Sequence, residues 1–474
     1  MATDLSVPLA IKIKEILGEE FGVQVAIIGT GYVGLTTGVA LAYLGHQVVG
    51  LDVDAQKVAR LQQGEIPIYE PHLAELLQLT RPNITFTTDY ATAIPPAQVV
   101  FIAVGTPSLP DGNPDLTYVR QAAQGVGWHL GQAFTVIVNK STVPIGSGNW
   151  VETLIEEALK TRANPAVRFA VASNPEFLRE GSALHDTLYP DRVVLGTQDP
   201  QALEVLYTLY QPILEQTFTP PSFLPRPADV AAVPLITADL TSAELIKYAA
   251  NAFLALKISF INEMAQLAER VGADVTQIAR GIGLDKRIGS QFLQAGIGWG
   301  GSCFGKDTAA LIATARDYGL GMGIVQASRL VNAQQRQWVV EKLLHTLKIL
   351  KGRRVGLLGL AFKPHTDDLR DAPALDIAQQ LLERGVGVRV HDPVALPRAQ
   401  REWPKLEVQY CEAVETLAQD GDALVLVTDW PQYRNLPWEH LATLMRSPLL
   451  LDGRNFLDRE RLRRAGFTYV GLGR

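Results

Sequence analysis

The sequence predicts an α/β fold with two doubly wound parallel-sheet domains joined by a long central helix and a helical segment. Three observations predict it. Short Val/Ile-rich runs alternate with helical patterns from about Val23 to Gly196, as in a sheet covered by helices on both faces. Asp239 to Val271 carries one helical pattern with no Pro or Gly until Gly272, which suits a single long helix. Around Lys351 the strand-helix alternation restarts. The expected division is therefore 1–236, including an N-terminal extension and a Pro-rich loop, then 237–350 and 351–474. A chain of 474 residues with 47% hydrophobic residues has room for two or three cores.

The elements follow in order. Strands are expected at Val23 to Ile28, Gln47 to Asp52, Val99 to Val104, Thr135 to Asn139, Phe169 to Ser173 and Val193 to Leu195. Thr219 to Pro234 is too proline-dense to be helical throughout and reads as a connecting loop. After the long helix, further helices start at about Asp274 and Asp307. In the last part, Arg353 to Leu360 is a strand, Pro373 to Arg384 a helix, and Gly387 to Val390, Asp422 to Val427 and Leu449 to Leu451 are strands.

Composition excludes several classes. A formal net charge of −6 argues against general nucleic-acid binding. No apolar run is long enough to span a bilayer, and Lys12, Lys14, Glu15, Glu19 and Glu20 do not fit a secretory signal. A cytoplasmic protein with no membrane partner is expected. The two cysteines, Cys303 and Cys411, cannot build a disulfide framework, and neither has metal-ligand spacing with the scattered histidines. No metal is expected, and Cys411 reads as structural.

Val25-Ala26-Ile27-Ile28-Gly29-Thr30-Gly31-Tyr32-Val33-Gly34 runs from a buried strand into a glycine turn that opens a helix, and Asp52 ends the next strand. That spacing is the dinucleotide-binding signature of a Rossmann-like unit, with the carboxylate placed for ribose hydroxyls. Asp52 would repel a 2′-phosphate, so NAD is favoured over NADP, although Lys57 and Arg60 lie close by in the sequence. Both sheets read as Rossmann-like, at most an architectural duplication.

Gly298-Trp299-Gly300-Gly301-Ser302-Cys303-Phe304-Gly305-Lys306-Asp307 sets one of the two cysteines in a glycine-rich turn beside a Lys and an Asp. Buried cysteines are usually inert, but this setting suits a nucleophilic thiol. Lys247 and Asn251 lie four apart on the long helix and share a face, amid Leu245, Ile246, Ala249, Ala250 and Phe253; polar groups on an apolar face need partners or a purpose. Ser173 to Gly181 follows a strand end, where ligands dock in open α/β sheets. A hydride acceptor and a thiol in one chain suggest oxidation through a thioester.

Taken together, GTGYVG, IPIYEP, GTP, STVP, NPEFLREG, PDRVVLG, AELIKYAAN, FLQAGIGWGGSCFGKD, GLAFKPHTDDLRDAP and the Asp452-Gly453-Arg454 turn resemble the UDP-glucose 6-dehydrogenase family from about Gln24 to Asn455. The motifs also fit the wider nucleotide-sugar dehydrogenases, including GDP-mannose and UDP-N-acetylhexosamine members. GGSCF rather than GGHC, together with Tyr69 and Gly181, resembles the UDP-glucose branch. Gly305 departs from the Pro common in bacterial members.

The resemblance implies a four-electron oxidation of UDP-glucose to UDP-glucuronate. Cys303 would form a thiohemiacetal and then a thioester. Lys247 and Asn251 would stabilise oxyanions, Asp307 would hold a water acting as base, and Glu176 with Thr142 would serve hydrolysis. Gly29, Gly31, Tyr32, Val33, Gly34, Asp52, Lys57, Thr106, Thr142, Glu180, Lys306 and Arg370 would contact NAD. Glu176, Phe177, Leu178, Glu180, Lys247, Asn251, Phe292, Gly300, Phe362, Lys363 and Arg454 would contact UDP-glucose, with Arg287 reaching across from a neighbouring subunit of a homodimer or larger homo-oligomer. A dehydrogenase of another nucleotide sugar, one releasing a ketone or aldehyde, or a non-catalytic nucleotide-sugar-binding protein are the alternatives.

Overall fold

The computed structural model describes residues 22–109, 111–162 and 167–474; the N-terminal extension read from the sequence lies outside them. The described residues form two compact units, the first ending at Lys247, the second running from Tyr248 to Arg474 and including 111–113.

The first unit holds an eight-stranded sheet. Its strands in chain order are β1 (Gln24–Ile28), β2 (Gln47–Leu51), β3 (Ile84–Thr87), β4 (Val99–Ile102), β5 (Thr135–Asn139), β6 (Phe169–Ser173), β7 (Val193–Gly196) and β8 (Leu235–Ala238). The spatial order is β3-β2-β1-β4-β5-β6-β7-β8. Side-chain alternation divides β1 between two cores. Val25 and Ile27 pack with Leu35 and Val39 of helix Tyr32–Tyr43, while Ala26 and Ile28 pack with Ala122, Val126 and Val151 of helices Thr117–His129 and Ser147–Thr161. Both faces are therefore covered, which is why β4, Val-Val-Phe-Ile, is buried at every position.

One pairing departs from the parallel pattern: Ser173 of β6 meets Gly196 of β7 antiparallel. The connection between them is taken up by an irregular loop and the six-residue helix Ala183–Leu188, not by a crossover helix of the length a parallel return requires. The Pro-rich stretch is irregular up to Pro234, and β8 follows it directly.

The second unit begins within helix Leu240–Val271. Its six-stranded sheet comprises β9 (Arg354–Leu358), β10 (Gly387–His391), β11 (Gln409–Tyr410), β12 (Ala423–Leu426), β13 (Leu449–Asp452) and β14 (Thr468–Gly471), in the order β11-β10-β9-β12-β13-β14 with every pairing parallel. Its core also takes in Val339, Val340 and Leu343 of helix Gly323–Leu347. Cys411 is buried there, and burial pushes its thiol up, as suits a packing residue.

Two sequence expectations need correction. The helix expected from about Asp307 starts at Phe304 and runs to Asp317, because the Asp307 amide already donates to the Cys303 carbonyl at 2.8 Å. On the long helix, Leu245, Ala249 and Phe253 are exposed while Lys247 and Asn251 are buried. The polar pair therefore lies on the buried side, and part of the apolar set points outward.

Candidate active site

The first glycine turn is built by close approach. Gly29 has φ +97°, and a Cβ there would meet the Ala103 carbonyl oxygen at 2.6 Å; one on Gly34 would meet the Gly29 oxygen at 1.8 Å. A Cβ on Gly31 would meet nothing within 4 Å, so its backbone is the one open to a ligand. The first and third glycines serve the turn and the helix packing, and the second leaves room for a pyrophosphate. Asp52 Oδ2 accepts from Thr30 N at 2.9 Å, Thr30 Oγ1 at 2.8 Å and Lys57 Nζ at 2.8 Å. Burial alone would push this carboxyl up, but the Lys57 ammonium and the backbone donors outweigh it and hold the pKa below the usual carboxylate value. These residues fit NAD.

The loops at the ends of β4 and β5 are tied together. Thr106 Oγ1 donates to the Thr142 carbonyl at 2.9 Å, and Ser141 Oγ donates to that of Val104 at 2.7 Å. Tyr32 OH donates to the Tyr69 carbonyl at 3.1 Å, and the buried Glu70 carboxylate accepts from Gly181 N and Ala183 N, both at 2.7 Å. The IPIYEP and NPEFLREG motifs are thus one assembly, on which Glu180 is half-buried. Val33, beside the glycine turn, packs against the first core.

In the same unit, Lys247 and Glu176 come together. Lys247 Nζ donates to Glu176 Oε1 at 3.0 Å, and the side chains are only 4% and 8% exposed. The other carboxylate oxygen accepts from Leu178 N at 2.6 Å. The Phe177 ring has the Arg192 guanidinium 3.6 Å and the Lys247 ammonium 5.4 Å from its centroid. A buried ion pair of this kind costs desolvation and has to be held by such surroundings.

In the second unit, Cys303 is the N-cap of helix Phe304–Asp317, with Ser302 Oγ 3.6 Å from its sulfur. The helix N-terminus favours negative charge at that position. Asp307, one turn on and buried, accepts from Asn251 Nδ2 at 2.6 Å and pairs with Lys306 Nζ at 2.8 Å. The glycine run around the thiol is close-packed: a Cβ on Gly300 would meet the Asp371 carbonyl oxygen at 2.2 Å, and one on Gly301, at φ +86°, the Phe362 ring at 2.7 Å. The Trp299 and Phe292 rings lie 6.0 and 6.3 Å from that of Phe304. Phe292 takes a left-handed φ of 64°, an uncommon conformation for a bulky residue.

What holds this run was not read from the sequence. Asn332 accepts from Trp299 N and donates to its carbonyl, Gln335 donates to the Gly296 carbonyl, and Asn262 accepts from Gly296 N. Arg336 donates to the Trp299 carbonyl and pairs with Asp371 and Asp376. The signal was available: Asn332, Gln335 and Arg336 are polar residues clustered within one helix, and a buried irregular backbone requires such partners.

Arg454, expected to contact the sugar, donates to the carbonyls of Val427, Gly298 and Phe362 at 2.7, 3.1 and 3.3 Å. Lys363 Nζ lies 5.5 Å from the Phe362 ring centroid. Arg370 is engaged by Asp368, and its carbonyl accepts from Gly301 N. Arg287 is 89% exposed and closes on Asp285 at 2.6 Å.

Comparisons with known proteins agree over 95% of the chain. Residues 23–214 match the NAD binding domain of the UDP-glucose/GDP-mannose dehydrogenase family, 241–334 its central domain and 356–459 its UDP binding domain. The chain is 45% identical to the UDP-glucose 6-dehydrogenase TuaD of Bacillus subtilis, over 95% of this chain and 93% of that one. It is 44% identical to a UDP-glucose 6-dehydrogenase of Pseudomonas aeruginosa, over 95% and 97%. Among solved structures, a UDP-glucose dehydrogenase from Pyrobaculum islandicum superposes with a TM-score of 0.84 at 40% identity, covering 96% of this chain and 98% of that one. With both sheets, the dinucleotide turn and the cysteine helix in place, the chain belongs to the UDP-glucose/GDP-mannose dehydrogenase family.

Proposed function

We propose that the protein oxidises C6 of UDP-glucose to the carboxylate of UDP-glucuronate, through a thiohemiacetal and a thioester on Cys303. The observation that carries this reading is the thiol at a helix N-cap, one turn from the buried Asn251–Asp307 pair. When bound, NAD supplies the hydride acceptor for both oxidations. Asp307 holds the water that takes the proton from the C6 hydroxyl, while the Lys247 ammonium balances charge on oxygen. The Cys303 thiolate adds to the aldehyde carbon, because an aldehyde has no oxyanion to expel hydride until a nucleophile adds. Lys247 and Asn251 stabilise the resulting oxyanion. Glu176, with Thr142 helping to place water, serves hydrolysis of the thioester.

UDP-glucose is preferred over other nucleotide sugars because the relatives at 44–45% identity carry that name, whereas a UDP-D-ManNAc dehydrogenase from Pyrococcus horikoshii is 25% identical. On the same reading Thr106, Glu180, Lys306 and Arg370 contact NAD, and Phe177, Leu178, Phe292, Phe362, Lys363 and Arg454 contact the UDP-sugar. The three parts 1–236, 237–350 and 351–474 act as NAD-binding, central and UDP-sugar-binding segments. Phe253, Phe260 and Leu267, exposed and seven residues apart on the long helix, suit burial against a second copy, with Arg287 reaching into the partner's site. Among the described residues no helix is long and apolar enough to cross a membrane, in keeping with a cytoplasmic setting.

The test is stoichiometric. With limiting UDP-glucose, about two NADH per sugar should form with no aldehyde trapped, and Cys303→Ala should lose about 10³-fold or more of the turnover. One NADH per sugar at completion would sink the four-electron mechanism.

A further inference from the structure

Lys140 directly follows strand β5, at the start of the Thr142 loop, and it is buried. Its ammonium donates to Asn174 Oδ1 at 2.7 Å and lies 5.8 Å from the centroid of the Phe101 ring. Asn174 follows β6 directly and stands two residues before Glu176. The same Asn174 oxygen accepts from Tyr210 OH at 2.5 Å, and Asn174 Nδ2 donates to the Val194 carbonyl at 2.9 Å. Lys140, Asn174, Glu176 and Tyr210 line one cavity of about 50 Å³, together with Asp186 and Arg192. No carboxylate hydrogen-bonds Lys140 among the described contacts, but both Glu176 and Lys247 act on it electrostatically.

Burying an ammonium on an amide oxygen is costly, and a methionine would fill the space without that cost. Desolvation lowers the Lys140 pKa to about 8, with Glu176 pulling it up and Lys247 pushing it further down. The folded value is thus below the ordinary 10.5. Between the two the unfolded chain binds more protons, so stability rises as pH increases through that window. The charge is therefore retained at some expense to stability, which points to a use for it.

We propose that Lys140 is a positioning residue for thioester hydrolysis: its ammonium ties the loop that carries Thr142 to the loop that carries Glu176 and supplies positive charge near the Glu176 carboxylate. The inference rests on the hydrolytic role given above to Glu176. In that step the water oxygen bonds to C6 and the C6–S bond breaks. One water proton passes to Glu176, the other leaves as the new carboxylic acid ionises, and Cys303 departs as thiolate. The Lys140–Asn174 hydrogen bond fixes the loop two residues before Glu176, so that the carboxylate meets the water in a set position.

Lys140→Met and Asn174→Asp in the full chain test this, with NADH kinetics and intact-mass spectra after mixing with UDP-glucose and NAD. Lys140→Met should melt no lower than the native protein at neutral pH, because Tyr210 still satisfies Asn174. Its steady-state kcat should fall about tenfold or more with KM little changed, and the acyl form of Cys303 should become the dominant mass species. If deprotonation of Lys140 slows hydrolysis, native kcat should show an alkaline limb near pH 8, and this variant should lack it. Asn174→Asp puts a carboxylate beside the ammonium and should move the limb to higher pH by about one unit or more.

A folded Lys140→Met enzyme with native kcat and no acyl accumulation would overturn the proposal. So would an Asn174→Asp limb that stays in place. If native and variant enzymes alike never carry a Cys303 adduct, even when quenched during turnover, the thioester reading itself falls and this inference with it.

Discussion

The two sheets use the same turn for different ends. After β1, Gly29 donates to the Leu51 carbonyl and Thr30 N donates to Asp52. After β9, Gly359 donates to the His391 carbonyl, and Leu360 N and Ala361 N donate to Asp392. Gly29 and Gly359 have φ of +97° and +102°. In the first sheet a helix starts at Tyr32, presenting its amides at the turn. In the second, the chain runs irregularly until helix Pro373–Glu383 and carries Phe362, Lys363 and Arg370 on the way.

The acids differ in the same sense. Asp52 meets a half-buried lysine, whereas Asp392 also accepts from the Trp430 indole and from the Val394 and Ala395 amides. A duplicated turn thus leaves its backbone open to a ligand in one unit and is a structural knot in the other. What separates them is the following segment, a helix start in the first and an irregular run in the second, together with a half-buried lysine partner in place of a buried indole.

The largest expected effect tests the knot. Asp392→Ala leaves several buried N–H groups without an acceptor and should cost about 3–5 kcal/mol in chemical denaturation, while NAD affinity of the folded fraction stays unchanged. An Asp392 variant of native stability would break the comparison.

Next, Gly34→Ala forces a Cβ to within 1.8 Å of the Gly29 oxygen and should cost about 3 kcal/mol along with most NAD binding. Gly31→Ala meets no protein atom within 4 Å and should leave the melting temperature within about 1 °C while weakening NAD in a fluorescence titration. Equal effects on stability from the two substitutions would show that the turn is not divided as described.

The smallest effect concerns Asp52. Asp52→Ala should narrow the preference for NAD over NADP by about tenfold in kcat/KM. Its folded pKa lies below the ordinary value of 3.8, so the stability it adds is complete above about that pH and is lost as pH falls through the folded value. The gap in stability between native and variant proteins should therefore shrink from neutral pH to about pH 2. A gap that widens on acidification would reverse the sign assigned to Asp52.

The four strands that sequence reading did not name are β3, β8, β11 and β14, which are the four sheet edges. An edge strand is short and covered on fewer sides, so it leaves little hydrophobic pattern; β8 is not fully buried at any position. The glycine turn, Asp52, Lys247, Asn251 and Cys303 were legible because each carries unusual residues at a characteristic spacing. Lys140 was not, and the cluster Asn332, Gln335 and Arg336 could mark a buried polar face without showing what it holds, because a polar side chain shows its use only when its partners are known, and those partners are distant in sequence.

By itself, the sequence determined the central strands, the long helix, the glycine turn with its acid, and the candidate nucleophile, since these depend on local pattern and on residue types with few other uses. Tertiary structure alone decided that Lys247 pairs with Glu176, that Asn251 donates to Asp307, that Cys303 caps a helix, and that Asp392 is tied to the Trp430 indole where Asp52 meets Lys57. The physical reason is that a hydrogen bond or ion pair is a property of two groups and of the solvent removed from both. Burial and partner are settled only when segments far apart in the chain have packed.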